Sequence, residues 1–570
     1  MSEAHTKAIK TDAWAAKPNL PQSEQFAADR FQATPPTLRS LRLEAEINAI
    51  SRALESTGWN RRRAAELLSI SYRGILFKIQ QHNLSPHSQD KSPIRRSLTN
   101  GDNTMKLNRL SALVLATLAI TLSLAVCAQA QTVDFLAQFS GGQGSSSGVV
   151  QATDGNFYGG AGGGANGLGQ IFQMTPEGKL STIYSFCSLP TCADGAYPGS
   201  PPILGSDGNL YGVTDGGGDN PSSTFYKVTL DGQLTTLYTF CASSCADGVF
   251  ANGIIQGTDG NFYGTTAVSG NGGGGTIFRI SPTGQFKLLY TFCSLAKCAD
   301  GSTPYFPPVQ SSDGNFYGTT YAGGVAGGGV VYELTPSGTY TVLHNFCGQS
   351  GTNCKTGGNP STVIADNKGN IFGTSVYSDD VAFKITSTHI YSILYTFGSG
   401  EGSPFTGLTL ASDGNFYGMT QDGGGRREGT IFKITPAGKF TTLFVFGCCN
   451  QGYDPSPGPL FQGTNGLLYG ATLYGAPPCC YGTIFTLSNS MKSLVKTVPV
   501  AGKVGQSVLI LGNGLTGSSS VKFDGVEASF TVESDTYIKA TVPAGAKTGT
   551  VSVVTPTGTL NSNPQFVVTK

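Results

Sequence analysis

Cysteine is the residue type whose number and spacing speak first of chemistry in this chain. Of 13 cysteines, eight form close pairs: Cys187/Cys192, Cys241/Cys245, Cys293/Cys298 and Cys347/Cys354. Each pair lies in a segment of one type (FCSLPTCADG, FCASSCADG, FCSLAKCADG, FCGQSGTNCKTG). Two thiols that close either form a local disulfide or supply half of a metal site. A metal needs more ligands converging on the same point, and beyond residue 130 the only histidines are His344 and His389. The pairs also recur in separate repeats. Local disulfides are therefore expected, and no metal or other cofactor. For Cys448, Cys449, Cys479 and Cys480, cross-pairing stays open, while a bridge between adjacent residues is less favourable.

Carboxylates are the second candidate. Asp154, Asp207, Asp259, Asp313 and Asp413 all stand in the tripeptide DGN. An aspartate repeated at a hairpin turn serves the turn, through hydrogen bonds from its side chain to nearby backbone, rather than an array of acids. No nucleophile–base pair, metal set or unique carboxylate pair stands out. The expectation is a protein that is not an enzyme.

These residues are positioned by a repeat. Close copies of SDGNFYG end at Gly159, Gly212, Gly264, Gly318, Gly373, Gly418 and Gly470, at intervals of 45 to 55 residues. Such a period signals a propeller or solenoid. Within one copy, 407–411 is short and apolar, Asp413-Gly414 is a turn, and 415–420 is aromatic and β-prone. A glycine-rich loop then leads to strands at 430–435 and 440–446, giving four antiparallel strands per unit, the pattern of a propeller blade. The seventh unit lacks a fourth strand. Residues 133–139 (VDFLAQF) match that strand, as in 237–240, and are expected to complete it and close the ring. One aromatic recurs in every third strand, at Phe172, Tyr226, Phe278, Tyr332, Phe383, Phe432 and Phe485, and is read as packing between units.

Composition agrees with a turn-rich β protein: 79 glycines, 12% charged residues and a net charge of +1. Near-neutral charge gives no reason to expect bulk binding to nucleic acid or membranes. A basic stretch at 105–109, a 17-residue apolar run at 110–126 and the small-residue site Ala128-Gln129-Ala130 form a secretory signal, with cleavage between Ala130 and Gln131. The alternative is that the run stays as a single membrane span, for which it is short. Export starting at Met105 is favoured over that span.

The fold expected is thus mainly β: a seven-bladed β-propeller at 131–488 and an immunoglobulin-like β-sandwich at 489–570. A three-helix helix-turn-helix at 38–86 comes first, between a disordered arm at 1–37 and a linker at 87–104. Its run 58–84 (GWNRRRAAELLSISYRGILFKIQQHNL) resembles the Fis-type DNA-binding domain of bacterial regulators. That resemblance implies that Ser71, Tyr72, Arg73 and Lys78 face the major groove or phosphates, with Arg61, Arg62 and Arg63 near the backbone. The last 80 residues, with VPAGAKTG at 542–549, resemble an IPT/TIG domain, a family that mostly spaces or presents neighbouring modules. The repeats resemble the exported bacterial family called GloVer, which brings no established activity.

The function expected is an exported or cell-surface binding or scaffold protein, a monomer, whose extracellular ligand is of glycan or envelope type. The loops after the fourth strands, and the glycine-rich loops between second and third strands, form the binding face. Two alternatives stand beside it: a membrane-bound one-component regulator, touching DNA only through residues 38–86 in the cytoplasm, and a glycan-acting propeller enzyme.

Overall fold

The computed structural model describes Leu54, 131–139 and 148–569, except for 218–222, 243–244, 269–272, 348–355, 377–378, 448–451, 457 and 476–480. Among these residues the protein is mainly β, its only 3-10 turns being Pro190–Cys192 and Ala296–Cys298. The expected helix-turn-helix, linker and signal segment lie outside the described residues, Leu54 excepted.

One repeat shows how the sequence makes the element. Leu408–Leu410, Phe416–Thr420, Thr430–Ile434 and Phe440–Val445 pair in that order as an antiparallel sheet. The second strand is buried throughout and the third almost so, because neighbouring sheets cover both of their faces; the fourth is half-exposed. Five more sheets with this strand order begin at Val150, Ile203, Val249, Val309 and Pro360.

The glycine of FYG now has a physical reason. In every repeat it is paired across the sheet with the third-strand aromatic, from Gly159 with Phe172 to Gly470 with Phe485. The ring lies over the glycine: a Cβ on Gly418 would come within 2.5 Å of Phe432 Cζ. Each aromatic also meets a phenylalanine of the preceding sheet, with ring centroids between 4.9 and 5.5 Å apart from Phe240–Phe278 to Phe292–Tyr332. The contacts run through Phe186–Tyr226, Phe346–Phe383, Phe397–Phe432 and Phe446–Phe485, and return to the start at Phe139–Phe172. Buried aromatic pairs in this tilted or edge-on geometry stabilise beyond their area, by about 1 kcal/mol each.

The last sheet is completed from the other end of the repeat region, as expected. Thr132–Gln138 pairs antiparallel with Thr483–Ser488, setting Val133 opposite Leu487 and Phe135 opposite Phe485. Leu468–Tyr474 follows, then Phe461–Gln462 and Tyr453–Pro455.

Residues 494–569 form further sheets. Lys496–Val498, Ser507–Leu511, Tyr537–Thr541 and Phe530–Val532 make one; Val526–Glu527, Ser520–Phe523, Val551–Thr555 and Gly558–Asn561 make another. Val508, Ile510, Val521, Phe523, Ile538, Val553 and Phe566 fill the space between them. This sandwich rests on the DGN-turn end of the repeats. Thr536 Oγ1 donates to the Thr153 carbonyl at 2.6 Å, Asn563 Nδ2 to Gln462 Oε1 at 3.2 Å and Asn367 Nδ2 to Gln565 Oε1 at 3.0 Å. Leu511 is buried among Tyr158, Leu204 and Leu210.

Candidate functional site

The DGN aspartates are occupied by their own turns. Asp413 Oδ1 accepts from Asn415 N at 3.0 Å, and Oδ2 from Asn415 Nδ2 at 2.8 Å and the Tyr417 hydroxyl at 2.7 Å. Asp154, Asp207, Asp259 and Asp313 accept from the same three groups. With its oxygens so engaged and the sandwich against that end, this set is structural.

At the opposite end, where fourth strands finish and second strands turn into third, Cys187–Cys192, Cys241–Cys245 and Cys293–Cys298 are disulfide-bonded. Cys347 is bonded as well, while Cys354 and the four remaining cysteines after residue 130 lie outside the described residues. Among the described residues no group of three or more His, Cys, Asp or Glu is arranged to hold a metal ion. A second aspartate, which the sequence reading missed, locks three of these loops. Asp194 is fully buried and accepts from Tyr184 Oη, Ser188 N and Oγ, and Leu189 N. Burial works to raise its pKa, but hydrogen bonds from Tyr184, Ser188 and Leu189 outweigh it and hold the carboxyl below its ordinary value. Asp300 repeats the arrangement with Tyr290, Ser294 and Leu295, and Asp247 with Tyr238 and Cys241.

Between these loops lies a cavity of about 590 Å³. Pro201, Gly253, Pro307, Thr362 and Pro459 line it from one and the same position of five repeats, and Phe405 adds a sixth. Its wall is mostly apolar, with Ile203, Ile254, Tyr305, Phe306 and Tyr321 beside the polar Ser200 and Asn252. Around the loops Tyr197, Phe250 and Tyr305 are 53%, 46% and 43% exposed. Tyr197 and Phe250 hold φ of 57° and 58°, a left-handed backbone that costs a bulky residue energy. Exposed aromatics on strained loops around an apolar hollow are the arrangement expected of a binding surface.

One ionisable side chain breaks the apolar lining. Among the described residues that line it, Asp215 is the only acid and none is basic. The corresponding position in the other repeats holds Gly162, Ala267, Tyr321, Val376, Gln421 and Leu473. The Asp215 N–H donates to the Tyr197 carbonyl at 2.9 Å, and its carbonyl accepts from Ser223 Oγ at 3.3 Å. The carboxylate fits only because residue 199 is glycine: a Cβ there would stand 2.6 Å from both oxygens. Oδ1 is buried and has no hydrogen-bond partner among the described residues. Burial pushes the carboxyl up to about 6. Sequence reasoning missed Asp215 because it sits in no motif. The available signal was its departure from the other six repeats.

Ser71, Tyr72, Arg73, Lys78, Arg61, Arg62, Arg63 and Ala130 lie outside the described residues. Gln131 borders the last sheet, donating from Nε2 to Asn489 Oδ1 at 2.8 Å. His344 stands where five other repeats carry tyrosine or phenylalanine and the last sheet carries Ala137, its ring stacked on Tyr391 at 3.7 Å. Its Nε2 is buried without a partner, and burial lowers its pKa to about 4. No helix among the described residues is long and apolar enough to cross a membrane.

A family model described as the Gloeobacter/Verrucomicrobia repeat matches residues 123–304, 294–485 and 360–517. The IPT/TIG domain matches 491–568, and the Fis family of bacterial regulatory proteins matches 42–82. No curated protein matches the chain in sequence. Among solved structures, the extracellular domain of a hybrid two-component system from B. thetaiotaomicron is similar at 11% identity and TM-score 0.43, over 77% of this chain and 59% of that one. A puromycin-hydrolyzing peptidase of Mycobacterium tuberculosis is similar at 10% identity and TM-score 0.40, over 67% of this chain and 60% of that one. The Dos1 propeller is similar at 12% identity and TM-score 0.38, over 61% of this chain and 80% of that one. The chain thus spans less than two thirds of the length of the first two.

The expectation that the protein is not an enzyme is corrected by these findings. A hydrolase stands among the similar structures, although at 10% identity the likeness transfers no activity. The expectation also rested on finding no nucleophile–base pair, metal set or unique carboxylate pair. Asp215 is a single carboxylate and not such a pair, but a cavity acid whose pKa burial raises is a group of the kind that general acid–base chemistry uses.

Proposed function

The chain belongs to the Gloeobacter/Verrucomicrobia repeat family, and on that premise we propose that it is an exported binding protein whose ligand enters the cavity between the cysteine loops. The observation that carries this reading is the cavity, to which six repeats contribute and which strained, exposed aromatics surround. In the architecture we propose, seven sheets form a closed seven-bladed ring, with the IPT/TIG sandwich against its far end. The cyclic run of aromatic contacts and the pairing of Thr132–Gln138 with Thr483–Ser488 support closure. Export is supported by the signal pattern ending at Ala130 and by three bonded cysteine pairs, which suit an oxidising compartment. A glycan or envelope component suits a weakly charged surface rich in exposed aromatic rings. The protein works as a monomer.

A glycan array probed with the full chain tests this. We expect selective binding that Tyr305→Ala and Phe405→Ala each reduce at least tenfold in folded protein. Binding that both substitutions leave unchanged would remove the cavity from the function.

The Fis-family match favours a second reading, in which the apolar run is retained in the membrane and the ring senses a ligand for a cytoplasmic DNA-binding segment. The N-terminal sequence of the protein from native cells separates the two. Gln131 at the N-terminus supports export, and membrane-bound protein still yielding peptides with Trp59 supports the regulator.

A further inference from the structure

We propose that the group recognised in this cavity is a protonated amine, held by the Asp215 carboxylate with its carbon skeleton against Tyr305, Phe306 and Phe405. The inference rests on the reading of the cavity as the binding site, and it adds the chemical class of the ligand. Among the described residues the lining contains one acid and no lysine, arginine or histidine, so none of them compensates the charge of Asp215 there. Elsewhere in the repeats, aspartates of the turns and the cysteine loops are met by N–H and O–H donors. Among the described residues Asp215 Oδ1 is buried with nothing to accept from, a state shared by one other carboxylate oxygen, Glu428 Oε2, which does not line the cavity. A carboxylate that meets no donor is costly, and a ligand in the cavity that supplies one, at the oxygen that is not closed off, recovers part of that cost. An ammonium group supplies both donor and opposite charge, making a charge-assisted hydrogen bond of roughly twice neutral strength.

The surroundings select further. Tyr305 and Tyr321 meet edge-on, ring centroids 5.2 Å apart, so the cavity wall offers aromatic faces and edges beside the neutral polar Ser200 and Asn252. Aromatic faces attract cations and accept hydrocarbon, and they exclude anions. Among glycans and envelope components, one without an amino group would leave the carboxylate charge uncompensated. A carboxylate or phosphate ligand would face Asp215 at close range with no cation between.

Phenethylammonium and its neutral analogue 2-phenylethanol, titrated calorimetrically into the full chain at pH 7.5, test this. We expect the amine to bind the wild-type protein at least tenfold more tightly than the alcohol, and Asp215→Asn to abolish that difference while leaving the alcohol's weak affinity in place. Circular dichroism of the variant verifies its fold, and Asp215→Glu should retain part of the preference. Equal affinities for the two probes, no amine binding at all, or a preference that survives Asp215→Asn would each overturn the proposal. If glycans bind and Tyr305→Ala abolishes their binding while amines show no preference, the cavity stands as the site and the ammonium class falls. If Tyr305→Ala and Phe405→Ala leave all binding unchanged, the cavity reading falls too.

Discussion

Gln151 and Thr464, 313 residues apart in the chain, are joined by a buried hydrogen bond: the Thr464 N–H donates to Gln151 Oε1 at 3.0 Å. The same contact links neighbouring repeats elsewhere, from Ser206 N to Gln256, Thr258 N to Gln310 and Ser412 N to Gln462. The first repeat therefore stands to the seventh as each of these repeats stands to the one before it. Replacing Gln151 by Ala leaves a buried N–H without a partner and is expected to cost about 1–3 kcal/mol. The check is chemical denaturation of the variant beside Leu410→Ala, a substitution at the corresponding position of a repeat that lacks the glutamine.

Removing residues 132–138 should do more than weaken the protein. It strips the partner from Thr483–Ser488 and leaves that strand as an open edge able to pair with another chain. Light scattering of the truncated protein should report concentration-dependent aggregation. An equally soluble, equally heat-stable truncated protein would refute closure by this strand.

Gly418→Ala should destabilise the fold by about 1–3 kcal/mol, because the added methyl meets the Phe432 ring within 2.5 Å in a packed interior. Phe432→Leu removes the obstructing end of the ring at a cost of its own. In the double variant the two costs should be less than additive, and a double-mutant cycle measures the difference.

His344 makes stability depend on pH in a definite direction. Its folded pKa of about 4 lies below the ordinary 6.5, so the unfolded chain takes up a proton first as pH falls. The contribution of the neutral ring is complete above pH 6.5 and is lost as pH drops toward 4. His344→Tyr, which supplies the aromatic found in five other repeats, should flatten the melting temperature over that window.

Asp215 acts in the opposite sense. Its pKa rises from 3.8 to about 6 on folding, so it is without penalty below pH 4 and destabilises increasingly up to pH 6. Asp215→Asn should stabilise the protein by about 1–3 kcal/mol at pH 7.5, and by much less at pH 4. Differential scanning calorimetry at the two pH values reads the difference; a binding residue that weakens the fold is a common trade.

Replacing Cys187 and Cys192 together by serine should cost about 2 kcal/mol by the loop-closure relation, because the loop that they close is short. Asp194 continues to hold the loop through four hydrogen bonds, so local proteolysis should change less than in Asp194→Ala.

Much of the architecture was legible because local rules repeat. The DG turn, the alternating strands and the interval of the motif are set by backbone chemistry within a few residues, and seven copies make the pattern plain. The fourth strand missing after 483–488 and the surplus one at 132–138 could be matched for the same reason: strand pairing has a recognisable side-chain pattern. The turn role of Asp413 also followed from the sequence, since its partners lie two and four residues away. Asp215 did not. Its carboxylate has meaning only where Gly199, Pro307, Phe405 and Pro459 converge, over 200 residues of chain, and no local rule carries that distance. The same holds for Gln151 with Thr464 and for the sandwich resting on Thr153: long-range packing, decided by which sheet faces which, set these contacts.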